Sequence, residues 1–309
     1  MKPNSSLRPE AAFNVAELCV VLGCVAVLAL LVLPALAGSK GNSQVFQCME
    51  NTRRLTMAWR MYAEDNSDLM VYSSDDGTGT FPYGTSATGL HRGNLYAWTW
   101  SKLDFNGGNV FNWDTNADIT LRPLWQYVKN AAVYKCPADQ SQALHNGVLT
   151  PRIRSYSMNY YLGGWVGTFY GAGAGAWASH FPLYTKLTEL GNFSKSPGPS
   201  QTFIFDERSD CINWGNFVSD FSGYPLTAGA KPVGAQYQWE EDMPASYHNY
   251  AGCLSFADGH AEIHRWQDRV TLQALVPNGA LQSGPGSTVF FDPYGQDVPW
   301  MQNVAARPH

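Results

Sequence analysis

His260, Glu262 and His264, two imidazoles and a carboxylate at alternate positions, are the side chains in this sequence best spaced for chemistry. They follow Asp258-Gly259, a pair able to supply both positive-φ residues of a type I′ turn, so Gly252 to Trp266 is expected to form a β-hairpin. With that turn, Ala257 faces His260, Phe256 faces Ala261, Ser255 faces Glu262, Leu254 faces Ile263 and Cys253 faces His264. Leu254, Phe256, Ala261 and Ile263 then line an apolar face, while His260, Glu262 and His264 share the other face with Ser255 and Cys253. Two imidazoles and a carboxylate so placed can meet one divalent cation, zinc being the natural fit. The bland alternative is a solvated strand face, where polar alternation is normal. Asp206, Glu207 and Asp258 offer an all-oxygen set that suits a calcium ion instead. His248 is expected to pin the approach to the turn through a hydrogen bond.

No nucleophile stands at a recognisable spacing from a base, and Gly-x-Ser-x-Gly, His-Glu-x-x-His and phosphate-loop motifs are absent from the sequence. The expectation is therefore a protein that is not an enzyme. Six cysteines divide into two groups. Cys19 and Cys24 fall in an apolar run and act as small hydrophobes. Cys48, Cys136, Cys211 and Cys253 lie outside it, where an oxidising compartment permits disulfides, and the pairing taken here is Cys48–Cys136 with Cys211–Cys253. A net charge of −5 without a basic stripe gives no case for nucleic acid as a partner. Only 15% of residues are charged, whereas Gly and aromatic residues are plentiful, which suits a β-rich extracytoplasmic domain with many turns.

The elements that must carry these groups begin at Phe13-Asn14-Val15-Ala16-Glu17-Leu18, followed by twenty residues, Leu18 to Ala37, without one charge. Twenty such residues suffice for a helix to cross a hydrocarbon layer of ~30 Å, with Glu17 just inside its edge. After Pro34, the stretch Gly38 to Ser43 is poor in helix formers and is expected to weaken the helix. Val45, Cys48, Thr52, Leu55, Trp59 and Tyr62 then recur at steps of three and four, one face of an amphipathic helix that ends near Asn66. Further on, Leu121 to Lys129 reads as a short helix, Thr202 to Phe205 as a strand, and Gly171 to Ala176 as a loop. The tail from Pro277 is expected to wrap the domain without regular structure.

The N-terminal layout resembles that of type IV pilins and type II secretion pseudopilins. In that family a leader is cut just before a Phe, and Glu is the fifth mature residue. Counting from Phe13, Glu17 is the fifth, and Pro34 stands where many pilins carry a Pro. Tyr134 to Asp139, Arg154 to Asn159, Phe205-Asp206-Glu207, and His248 followed after nine residues by Asp258-Gly259 resemble blocks of the large pilin-like family named for its His-X9-Asp-Gly element. A signal peptide is the competing reading, since Ala35-Leu36-Ala37 fits an A-x-A cleavage site before Gly38, and a plain single-span anchor is another. The run is longer than a signal h-region, and neither alternative accounts for the spacing of Phe13 and Glu17.

The resemblance implies an α+β pilin-like fold, a long N-terminal transmembrane and amphipathic helix packed on a β-rich globular head. It divides the chain into a leader (1–12), a membrane half-helix (13–37), an amphipathic half-helix (38–66) and a head (67–309) with the hairpin at 248–266. It further implies cleavage between Ala12 and Phe13 by a prepilin peptidase. Assembly into a filament or pseudopilus would follow, with other copies of the chain, the secretion machinery and the inner membrane as partners. The head would be periplasmic and then on the cell surface. Phe13 and Glu17 would set register, the Phe13 amine of one copy neutralising the Glu17 of another. Many pseudopilins bind calcium, which bears on Asp206, Glu207 and Asp258. The alternative is an anchored module that never polymerises and uses the head to capture a glycan or protein.

Overall fold

The computed structural model describes residues 14–74, 96–99, 103–164, 181–206, 210–212, 215–227, 229–240, 242–275 and 289–308, with the backbone alone for 28–40. It divides into a unit of residues 1–43 and a unit of residues 44–309. The first helix, α1, spans Val15–Asp65 and continues through Gly38 to Ser43, where weakening was expected. Ala12 and Phe13 lie outside the described residues. Pro34 falls within α1.

In the first unit the start of α1 is held by a reciprocal cap. The Asn14 side-chain oxygen accepts from the Ala16 N–H at 3.2 Å, and the Glu17 carboxylate accepts from the Asn14 N–H at 3.0 Å. This is a capping box, in which two otherwise unsatisfied donors of the first turn find side-chain partners. The membrane-spanning half-helix is not borne out: among the described residues no helix is long and apolar enough to cross a membrane. Apolar side chains are described from Val15 to Val27, a length of ~20 Å at 1.5 Å per residue, against the ~30 Å needed.

The second unit is α+β with a β-rich body. Its part of α1 buries Cys48, Thr52, Leu55, Trp59 and Tyr62 and leaves Arg53, Arg54, Met57 and Glu64 exposed, the face expected from the spacing of three and four. The main sheet has five strands in the order β5-β3-β4-β7-β8. They are β3 (Ser157–Asn159), β4 (Phe203–Asp206), β5 (Asn216–Phe217), β7 (Ala251–Phe256) and β8 (Ala261–Arg265). All neighbours are antiparallel except β3 and β5. Successive side chains of β7 point to opposite faces. Ser255 and Cys253 meet Thr56 and Thr52 of α1, at 2.8 and 3.6 Å. All six residues of β7 are buried.

The small hairpin β1 (Gln142–His145) and β2 (Val148–Pro151) stands apart from this sheet. The short helix expected near Leu124 is α2 (Trp125–Val128), preceded by the buried Leu124. The tail corrects the expectation of irregular structure. β9 (Val289–Phe291) pairs with β6 (Gln238–Glu240), and α3 (Asp297–Ala305) brings Trp300 to 3.6 Å, ring to ring, from His264. Pro299 is tolerated because it falls in the first turn of α3, where the backbone N–H has no helical partner to lose. Around Trp98 the core stacks Tyr134 at 6.1 Å and packs Phe205 as a tilted ring at 4.9 Å.

Candidate metal centre

Cys48, Cys136 and His248, all buried, bring their ligand atoms within 4.8 Å of one another, and this cluster can hold a metal ion. Each comes from a different element. Cys48 is on the first buried turn of α1. Cys136 opens the tight turn Cys136-Pro137-Ala138-Asp139, closed by a bond from the Asp139 N–H to the Cys136 carbonyl at 3.0 Å. Pro137 presets φ for the second position of that turn. The turn aims the Ala138 N–H at the Cys136 sulfur, 3.4 Å away. Ser155 accepts from the Cys136 N–H at 3.1 Å and donates its own hydroxyl to Asp139, which also accepts from the Ser141 N–H. The blocks around Cys136 and Arg154 thus form one hydrogen-bonded corner.

His248 sits at the entry to β7, where Asn249 and Tyr250 both adopt positive φ, 54° and 65°. Two such residues in succession make a type I′ turn, and the His248 N–H bonds the Ala251 carbonyl at 3.1 Å. The turn sets His248 Nε2 3.4 Å from Cys136 Sγ. Cys48 Sγ is 3.1 Å from the Tyr156 hydroxyl. Burial pushes the Cys136 thiol up, but hydrogen bonds with Cys48 and His248 outweigh it and bring the group down to about 6. Cys48 moves the other way, raised well above the ordinary range by burial and by its bonds with Cys136 and Cys253.

The sequence-expected sites fare differently. The hairpin forms, but its register is one residue from that expected: Gly252 faces His264, Cys253 faces Ile263, Leu254 faces Glu262 and Ser255 faces Ala261. The cause is the turn. Only Gly259 has positive φ, 101°, and the loop holds three residues, Ala257, Asp258 and Gly259, between Phe256 and His260. That is the type I turn with a left-handed Gly rather than the two-residue type I′ turn. Cys253 and Ser255 therefore face α1, opposite in sense to Glu262 and His264.

His260 turns back onto Asp258, its Nδ1 2.6 Å from that carboxylate, and its ring stacks on Phe256 at 4.5 Å. His264 lies between the rings of Trp266 and Trp300. Glu262 lines a cavity of about 460 Å³ with Trp300, Asn303, Gln201 and Arg307. The three do not gather at one point; among the described residues only the Cys48–Cys136–His248 group does so. The calcium set is not assembled either. Asp206 is buried at the end of β4 and accepts from the Ala245 N–H, Asp258 is at the exposed hairpin tip, and Glu207 lies outside the described residues. Phe203 faces Phe256 next to that tip, so the length of β4 separates Asp206 from it. Neither expected disulfide is present. Cys48, Cys136, Cys211 and Cys253 are all thiols.

No family profile, no curated protein and no solved structure matches this chain.

Sequence reasoning missed the centre although it had quoted three of its parts separately. The available signals were a cysteine on the buried stripe of α1, the Cys-Pro turn and His248. Two groups of opposite sign contribute to the pH response of the fold. Burial lowers His264 to about 4, so between pH 6.5 and 4 the unfolded chain takes up a proton that the folded chain refuses. Stability from this group is complete above pH 6.5 and falls as the pH drops, by about 2 kcal/mol after discounting for partial exposure. Asp292, raised to about 7 by burial and by the neighbouring Asp268, acts in reverse and favours the folded state as the pH falls below 7. Urea titrations should show His264→Gln losing about 2 kcal/mol less than the wild type between roughly pH 7 and 4.5. Identical losses in the two proteins would remove His264 from the account.

Proposed function

We propose that the chain is a structural subunit that polymerises with copies of itself through the N-terminal part of α1, as its resemblance to pilins and pseudopilins implies. One observation carries the reading. Val15, Leu18, Val20, Val21, Leu22, Val25 and Val27 are each 46–74% exposed, and together they surround the helix. A helix apolar all round is one whose natural setting is buried, and exposed apolar surface of this extent marks a site of association. Glu17 is the only charged side chain between Asn14 and Val27. In a bundle of such helices it needs a cation, and the new amine at Phe13 of an adjacent copy supplies one. Residues 44–309 would then form the surface of a pilus-like filament, outside the cell.

The test is the native assembly made with its processing peptidase. Sequencing should return Phe13 as the first residue, and electron microscopy should show polymers that disappear when residues 14–27 are replaced by a polar helix. A mature chain beginning at Gly38 sinks the proposal.

A second reading rests on the cavity beside Trp300, where an indole stands among Glu262, Gln201, Asn303 and Arg307. An aromatic ring flanked by polar groups suits a sugar, so the head would capture a glycan. Monomers that bind glycans and never polymerise would favour it.

For the metal centre we propose zinc. Thiolate and imidazole donors suit zinc, whereas calcium takes six to eight oxygens, and none of the three clustered ligand atoms is an oxygen.

A further inference from the structure

Cys253 lies beside the buried cluster, outside the group that the ligand atoms of Cys48, Cys136 and His248 form within 4.8 Å of one another. Its sulfur lies on the face of β7 turned to α1, 3.6 Å from the Thr52 hydroxyl. Thr52 is one helical turn beyond Cys48 on α1, so the Cys253 sulfur stands at the Cys48 side of the cluster. Cys48, Cys136 and Cys253 are 1%, 0% and 2% exposed and His248 is 9% exposed, so the pocket is closed to bulk water.

Two of the three sulfurs also have a donor beside them. The Ala138 N–H points at Cys136 and the Tyr156 hydroxyl is 3.1 Å from Cys48, whereas the Thr52 hydroxyl donates to the Met49 carbonyl and faces the Cys253 thiol with its oxygen. Neutral thiols buried as small hydrophobes do not require such donors. Thiolates on a metal do, since three of them with one zinc leave a net negative charge in the core, and outer hydrogen bonds stabilise it.

We infer that the Cys253 side chain turns in from β7 to complete, with Cys48, Cys136 and His248, a closed four-coordinate zinc site that ties α1, the Cys-Pro turn and the His-X9-Asp-Gly hairpin together. The inference rests on the reading of the cluster as a zinc centre and adds its fourth ligand and its role. The three cysteines would ligate as thiolates and His248 through one ring nitrogen. Three protein sulfurs and one imidazole leave no open position, so the site is structural, with no room for a reacting water. The ion would link positions 48 and 253 and so close most of the second unit into one loop.

The test uses the full chain and zinc itself. Elemental analysis should find one zinc per chain. Cys136→Ser and Cys253→Ser should each weaken binding by at least about tenfold, and Cys211→Ser should retain the ion. Cobalt substitution should give a sulfur-to-metal absorption band that falls by roughly a third in Cys253→Ser, one thiolate of three being lost. Should that variant fail to fold, X-ray absorption of the zinc-loaded wild type decides the same point, because the ion then has three sulfur neighbours at about 2.3 Å with Cys253 as a ligand and two without it. Two sulfur neighbours, or binding indifferent to Cys253→Ser, overturns the fourth ligand and leaves zinc at the cluster. A chain without metal, or one isolated with a Cys48–Cys136 disulfide, overturns the zinc reading itself.

Discussion

Asp118→Ala should destabilise residues 44–309 by about 3–5 kcal/mol, the range for removing one partner of a buried ion pair. Asp118 accepts from Arg122 Nε at 2.6 Å across one short turn, and both side chains are 1% exposed. The Coulombic attraction of such a pair is roughly matched by the desolvation of its members, so the pair itself adds little net stability. Its loss is another matter, because the guanidinium stays buried without its main counter-charge and cannot shed its proton. The exposed pair Glu50–Arg54, at 2.9 Å on α1, is the internal contrast. Breaking that pair should change stability by about 0.5 kcal/mol or less, and less still in high salt. Asp118→Asn keeps an acceptor and should fall between the wild type and Asp118→Ala. Replacing both partners with apolar residues of similar volume, Asp118→Leu with Arg122→Met, should recover most of the loss. Urea unfolding with an unchanged slope measures all four variants. A loss below about 1 kcal/mol for Asp118→Ala would mean that water reaches Arg122 in the folded chain.

What could be read from the sequence depended on how local its cause was. The buried stripe from Cys48 to Tyr62 was legible because helical periodicity imposes it and the side of α1 it marks is packed. The strand ending in Phe205 and the existence of the hairpin were legible for the same reason. The hairpin's register was not. β7 is buried on both faces, so its sequence lacks the polar alternation that fixes which residue points where. Its register was therefore decided by whether Ala257 belonged to the strand or the loop. The cap at Glu17 was hidden by the reading that a carboxylate beside apolar residues must await a distant cation, although Asn14-Val15-Ala16-Glu17 has the spacing of a capping box. The metal centre was hidden by distance along the chain. Its three residues run from Cys48 to His248 without a Cys-x-x-Cys pair to announce them, and only the meeting of α1, the Cys-Pro turn and the turn before β7 assembles them.

Assembly should fail in both Glu17→Gln and Glu17→Ala, and the first of these is the informative one. In the single chain Glu17 already accepts from the Asn14 N–H, so an effect of Glu17→Ala alone could arise from a frayed helix start. Losing a cap of this kind costs about 1 kcal/mol, roughly a fivefold change in one local equilibrium. Glutamine keeps a side-chain oxygen able to accept from Asn14 and gives up only the charge. If copies are aligned by a cation at the terminus of a neighbour, the neutral amide leaves that cation buried without a partner among apolar side chains. The penalty is then several kcal/mol at every contact, and it recurs with each subunit added. Such a penalty should abolish polymers, whereas a missing cap should merely thin them. Sedimentation and negative-stain microscopy of the native assembly, with the folding of residues 44–309 followed by circular dichroism, separate the two. Wild-type filaments from Glu17→Gln beside shortened ones from Glu17→Ala would reduce Glu17 to a helix cap, and the alignment of copies would then have to come from the apolar side chains of Val15 to Val27 alone.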